Sequence, residues 1–451
     1  MVAFSKFTTV TATCEEYLHP YTNSCALSSL QLCYSAIPGT LKMYTVVFLL
    51  AMLMRGKLPT PKDILGMILR IIQSTSFLTC HAFSYSLFMC SLRRIFGNFN
   101  MMTASFIPAF LASYVSILIE RPSRRGLLSL YVTNVASETL FRMAAWRGYV
   151  RPIQHGEVVI FMLSIAGLLY FYRCKQSSQD VIYGLLRFIV GPYEESAYTK
   201  NQGPDERENE KPRKVPYGVI AAAVRLYSAC VKRVRSWSKH KECPHPFSCV
   251  HYVLQGTTKL FSVGYGLQVC LRLLLQMKHL VHDPRRIKRI VFHKDAFFFG
   301  AFLGGFSGVF RTSSCALRWL LNKDSKFHAV PAGLLAGLTF ALFPDITIAL
   351  YLMWKWLQLM YNDGVGKGFL PELPGATVLL YCTSTAILFH AALLEPHNLR
   401  PSYWKFLHRV SGGWIVSMDR RPLDAFGLGS SKSLQQVLLS TGTSPFPLTR
   451  L

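Results

Sequence analysis

The sequence predicts an all-α protein, a polytopic transmembrane helix bundle built from two related halves. Three observations carry that prediction. Of 451 residues, 51% are apolar and only 16% charged, where a soluble domain carries roughly 25% charged residues, and the mean hydropathy is +0.27. The apolar residues gather into ten runs, several approaching the ~20 residues that cross hydrocarbon. The last five runs then repeat motifs of the first five, in the same order.

Residues 1–40 form a cysteine-containing N-terminal region. It is polar, holds Glu15 and Glu16, and lacks the apolar stretch of a signal peptide, so insertion is expected to use internal segments. The first transmembrane half, 41–191, contains runs at Leu41–Met54, Ile71–Leu92, Met102–Ile119, Leu127–Trp146 and Val158–Tyr172. Arginine and lysine punctuate them. A polar and basic linker, 192–250, follows. Its Gly203–Pro212 stretch reads as solvated chain. Arg225–Lys241 interleaves basic with apolar residues and reads either as an amphipathic helix on anionic lipid or as a solvated basic loop. The second half, 251–394, contains runs at Thr258–Met277, Ala296–Leu321, Val330–Phe343, Ile346–Tyr361 and Ala376–Leu394. A polar, basic C-terminal tail occupies 395–451.

The formal charge is +26, from 49 Lys and Arg against 23 Asp and Glu. The basic residues sit between apolar runs rather than on one polar face, which argues against nucleic acid and for lipid headgroups as the partner.

The duplication is read from paired motifs. Cys90-Ser91-Leu92-Arg93 ends the second run, and Cys315-Ala316-Leu317-Arg318 ends its later counterpart. Ile107-Pro108-Ala109 matches Val330-Pro331-Ala332, and Gly156-Glu157-Val158 matches Gly375-Ala376-Thr377. Duplicated halves are a common build for transporters and channels. Five spans per half would invert the second half, whereas four spans and an interfacial first helix would leave the halves parallel.

Gly300, Gly304 and Gly308 repeat at four-residue spacing, as do Gly333 and Gly337. Such stripes let helices approach closely. Packing within the bundle is the expectation, with a translocation path or a homo-oligomer face as the alternatives. Glu138 and Arg142 lie one turn apart in the fourth run. An isolated intramembrane charge is costly, so a structural ion pair is expected, and a polar path for an anion, proton or headgroup is the functional alternative.

Cys243, His245, Cys249 and His251 form a weak metal candidate, with Cys14 and Cys25 as further ligands. Their spacing lacks the paired C-x-x-C of zinc ribbons. No metal or other cofactor is therefore expected, and reduced thiols are the default. Asp345 after Pro344 reads as a helix N-cap, and His390 as a core histidine. Signatures of metalloproteases, P-loops, dinucleotide folds and serine hydrolases are missing, so the expectation is a protein that is not an enzyme.

Several stretches resemble the transmembrane protein 135 family. They are Ala112-Ser113-Tyr114-Val115 through Glu120-Arg121, Ser123-Arg124-Arg125-Gly126-Leu127-Leu128, Glu138-Thr139-Leu140-Phe141-Arg142-Met143, Leu186–Gly191, Phe261–Tyr265 and, most specific, Leu399–Leu407. Cys14 and Cys25 match that family's cysteine-rich N-terminal region. The glycine-rich second half resembles, more weakly, the mitochondrial inner-membrane protein-translocase channel family. The main resemblance implies a multi-pass protein of peroxisomal and mitochondrial membranes. It implies roles in peroxisome organisation, in the balance of mitochondrial fission and fusion, and in lipid metabolism, with a dynamin-related fission GTPase as partner. The duplication and the ion pair suit an alternative, a transporter or channel for a lipid or small solute.

Overall fold

The computed structural model describes residues 8–53, 60–174, 181–195, 229–276, 283 and 286–444. The linker stretch Gly203–Pro212 and the start of the basic segment, Arg225 to Tyr227, lie outside the described residues. In chain order the helices are α1 (Cys14–Tyr17), α2 (Cys25–Leu53), α3 (Pro61–Phe96), α4 (Ile107–Ile119), α5 (Pro122–Trp146), α6 (Gly156–Cys174) and α7 (Val181–Val190). After the linker come α8 (Cys249–Leu275), α9 (Arg286–Val291), α10 (Lys294–Leu321), α11 (Ala329–Gly337), α12 (Ile346–Gly366) and α13 (Ala376–Leu394). The chain closes with α14 (Pro401–Val410), α15 (Trp414–Ser417) and α16 (Ser430–Thr441). Among the described residues the fold is thus all-α, apart from a ribbon of two residues per strand that pairs Thr9 with Asn100 and Val10 with Phe99.

Local chemistry sets the helix ends. Thr60 and Asp63 form a capping box before Pro61, and Gly97 closes the other end of α3 in the left-handed region at φ 72°. Asp345 caps α12 by accepting from Thr347 N and Ile348 N. Among the described residues five helices are long and apolar enough to cross a membrane: Cys25–Met52, Pro61–Phe96, Met102–Ile119, Gly156–Cys174 and Ala376–Leu394. Ten runs were expected. The helices that fall short carry charges inside the run, such as Arg142 in α5, Arg311 in α10 and Lys355 in α12, or are shorter, as is Lys326–Leu342.

The chain divides into two compact units, one made of Met1–Pro152 with Gly368–Leu451, the other of Ile153–Lys367. In the first unit α2 lies along α3, α3 along α4, and α13 packs on both α4 and α5. Its core joins Phe77, Ile117, Val135, Leu388, Ala391 and Trp404. In the second unit α8 lies along α10, α10 along α11, and α6 packs on both α11 and α12. Its core is aromatic, with Phe161 stacked on Phe340 at 4.0 Å and edge-on to Phe302 at 5.7 Å.

The two units therefore use the same packing scheme, but neither is a sequence half. The last long helix of each half is exchanged: α6 completes the unit built from the second half, and α13 the unit built from the first. The compact bodies break at 152/153 and 367/368, not within the linker 192–250 that separates the halves 41–191 and 251–394.

The segment 395–451, expected as a polar tail, is folded through residue 444. Trp404 and Arg420 in it are fully buried, and Arg420 Nη1 donates to Ala392 O at 2.7 Å. The helix α14 is amphipathic, burying Tyr403, Trp404 and Leu407 on one face, so its polar composition belongs to the other face. Likewise α2 starts at Cys25, well before the apolar run at Leu41.

Candidate functional site

In the first unit the long helix α5 presents Glu138 into a polar cluster. Its carboxylate is buried, 6% exposed. Arg142, one turn on, donates from Nη2 to Glu138 Oε1 at 2.6 Å, and Arg400, at the start of α14, donates to Oε2. Two guanidinium groups thus share one carboxylate. The third member was out of reach of sequence spacing, because it lies 262 positions away. Among the described residues, the helix carrying the pair is not one of the five long and apolar enough to span by composition. A neighbouring pair joins Arg147 to the buried Glu395, whose other oxygen accepts from Asn398 Nδ2 at 2.9 Å.

The second unit holds a larger network that the sequence did not single out. Arg318 on α10 grips Glu194 through two hydrogen bonds of 2.7 and 3.1 Å, and both side chains are fully buried. Arg318 Nε also donates to Asp324 at 2.9 Å. Arg173, ending α6, donates to both Asp324 oxygens at 2.7 and 2.9 Å. The charges balance, two acids against two arginines. Burial alone would raise the Glu194 carboxyl, but the Arg318 and Arg173 charges hold it below its ordinary value. The same contest, with the same winner, lowers Asp324.

Six of the twelve cysteines gather in two groups. In the second unit Cys243, His245 and Cys249 meet Cys315 of α10, with all four ligand atoms within 4.8 Å of one another. His251 is not part of this group. It accepts from Arg235 Nε at 3.2 Å and packs edge-on to Phe247. In the first unit Cys14 and Cys25, instead of joining that group, meet His19 and Cys90 within the same 4.8 Å limit. Hydrogen bonding from Cys90, against the effect of burial, holds the Cys14 thiol below the ordinary range, helped by Cys25 and Arg93. Cys243 is lowered in the same way, by Cys315 foremost, then by His245 and Cys249. Sequence reading missed His19, Cys90 and Cys315. The available signal was the repeat itself, since Cys25 with Cys249 and Cys90 with Cys315 recur at offsets of 224 and 225.

The glycine stripes face neighbours in the second unit. A Cβ on Gly304 would lie 2.9 Å from Thr257 O and from Phe261 Cβ, and one on Gly308 2.5 Å from Thr257 Oγ1. One on Gly300 would meet Phe261 O at 3.1 Å. These three seat α10 on α8. Gly333 and Gly337 seat α11 on α6, where added Cβ atoms would meet Ala166 Cα and Met162 Cα at 2.8 Å. Both stripes are used inside the chain.

A bundle of apolar helices with salt-bridged polar clusters at the helix ends defines a multi-pass helical membrane protein. No solved structure matches this fold. Residues 11–145 match the family model described as the N-terminal cysteine-rich region of Transmembrane protein 135. The matched region contains Cys14, His19, Cys25 and Cys90 as well as Glu138 and Arg142.

Proposed function

We propose that this is a non-enzymatic protein of peroxisomal and mitochondrial membranes that organises peroxisomes and shifts the balance of mitochondrial fission and fusion, with links to lipid metabolism. The observation that carries the reading is the cysteine-rich match over residues 11–145. The family-like stretch Leu399–Leu407 supports it from the far end of the chain. Among the described residues, five helices apolar enough to cross a bilayer suit membrane lipid as solvent. In this reading the chain does no covalent chemistry. It stays in the bilayer and recruits a dynamin-related fission GTPase from the cytosol. The test is imaging of tagged full-length chain in cells that lack it. The expected result is label on both organelles, elongated mitochondria without the chain, and a normal network with recruited GTPase on re-expression. Label confined to other membranes, or unchanged morphology, would overturn the reading.

One observation favours transport of a lipid or small solute as a second reading. Glu138 is shared by two arginines in a part-buried polar cluster, and such clusters line polar paths in membrane proteins. Liposomes carrying the purified chain separate the two. Selective flux that Glu138→Gln or Arg142→Gln abolishes, with folding intact, would favour transport.

A further inference from the structure

We propose that the chain binds two structural zinc ions, one per unit. Each is held by three cysteine thiolates and one histidine, Cys14, His19, Cys25 and Cys90 in the first unit and Cys243, His245, Cys249 and Cys315 in the second.

Distances come first. A tetrahedral zinc ion with sulfur arms of ~2.3 Å and nitrogen arms of ~2.0 Å has S···S edges of about 3.8 Å and S···N edges of about 3.5 Å. Cys243 Sγ and Cys249 Sγ are 3.7 Å apart, and Cys315 Sγ lies 3.6 Å from His245 Nε2. In the first unit Cys90 Sγ lies 3.7 Å from His19 Nε2. Four ligand atoms this close leave room for one ion, and not for a sulfide-bridged pair of irons, whose terminal ligands stand farther apart. Three thiolates and an imidazole in that geometry select zinc among common metals.

The histidines are poised as ligands. His245 donates from Nδ1 to Phe247 O at 2.6 Å, and His19 from Nδ1 to Thr22 O at 2.7 Å. A proton fixed on Nδ1 leaves the Nε2 lone pair bare, and in both clusters Nε2 is the atom facing the thiols. A metal-bound histidine almost always hands its other ring nitrogen to such a carbonyl or carboxylate. Both rings are buried, at 0% and 1% exposure, so neither lone pair is placed to bond bulk water.

The arrangement also recurs. Each cluster takes one cysteine from the first turn of a long helix, Cys25 or Cys249. It takes a second from the last turns of the helix packed beside it, Cys90 or Cys315. The other two ligands come from the segment that leads in. Those segments are unalike in sequence and spacing, Cys14 to His19 against Cys243 to His245, yet they deliver the same ligand types to the same place. A disulfide explains neither the third cysteine nor the oriented imidazole. The ion would clamp the incoming segment onto the end of a helix pair, with all four positions filled by protein and none open for catalysis.

The test is elemental analysis of the full-length chain purified in detergent without added metal. The expected content is about two zinc ions per chain, falling to about one in Cys90→Ser or in Cys315→Ser and to none in the double variant, while His251→Ala keeps both. Should the serine variants fail to fold, cobalt exchanged into the unaltered protein decides. Tetrahedral d–d bands with thiolate charge transfer support the proposal. A zinc-free protein whose cluster cysteines are all alkylated without denaturant, a disulfide found within either cluster, or a zinc content unmoved by the variants would overturn it.

Discussion

At Glu194 burial and charge pull in opposite directions, and charge wins because two arginines close on one carboxylate. Removing one partner of such a buried pair costs about 3–5 kcal/mol, because the charge left behind is uncompensated. Glu194→Gln should therefore lower the unfolding temperature of the detergent-solubilised chain by a large step, and Glu194→Gln with Arg318→Met should recover most of it. The pH dependence has a definite sign. Glu194 and Asp324 both have folded values below their ordinary 4.5 and 3.8. Their contribution is complete above those ordinary values and drains away as pH falls through the lower, folded ones. Acid titration followed by thermal unfolding should show the loss starting near pH 4, and Glu194→Gln should flatten it. Sequence reading found Glu138 and Arg142 because they are one helical turn apart. It missed Arg400 and Glu194 because their partners come from distant helices, and Asp324 because its six-residue separation from Arg318 matches no helical turn.

Among the elements, the α8–α10 pair depends most directly on small side chains. Gly304→Val should cost about 1–3 kcal/mol through overpacking, because the carbonyl of Thr257 stands where the new Cβ must go. Gly266, on α8 itself, has nothing within 4 Å of an added Cβ, so Gly266→Ala should gain about 0.5–1 kcal/mol from helix propensity. Thermal unfolding of the two variants should move in opposite directions, and a shared direction would contradict this packing. The stripe was legible because four-residue spacing is a property of one helix, as was the Asp345 cap. The amphipathic α14 was not, because its buried Trp404 and Leu407 are diluted by Arg400, Lys405 and Arg409 in any average over the segment.

Over the whole molecule, the duplication could be read from recurring motifs, while the exchange of α6 and α13 could not. Helix–helix partnership between distant runs leaves no trace in composition or spacing. The exchange makes a strong prediction for divided chains. A fragment ending within the linker near residue 205 lacks α13, and the complementary fragment lacks α6, so each alone should aggregate in detergent. Co-expressed, they should purify together as a monodisperse pair by size-exclusion chromatography. Either fragment running alone as a folded monomer would refute the exchanged arrangement.

That crossing-over also has a bearing on how the protein is made. The end of α5 and the start of α13 are separated by ~230 residues, and a ribosome adding about 5–20 residues per second needs roughly 10–50 s to cover them. For that interval the nascent first unit has a vacant berth along α4 and α5, open to lipid or to the insertion machinery. A stall or a premature stop anywhere in that window leaves the berth unfilled, so quality control must tolerate an unfinished bundle for most of its synthesis.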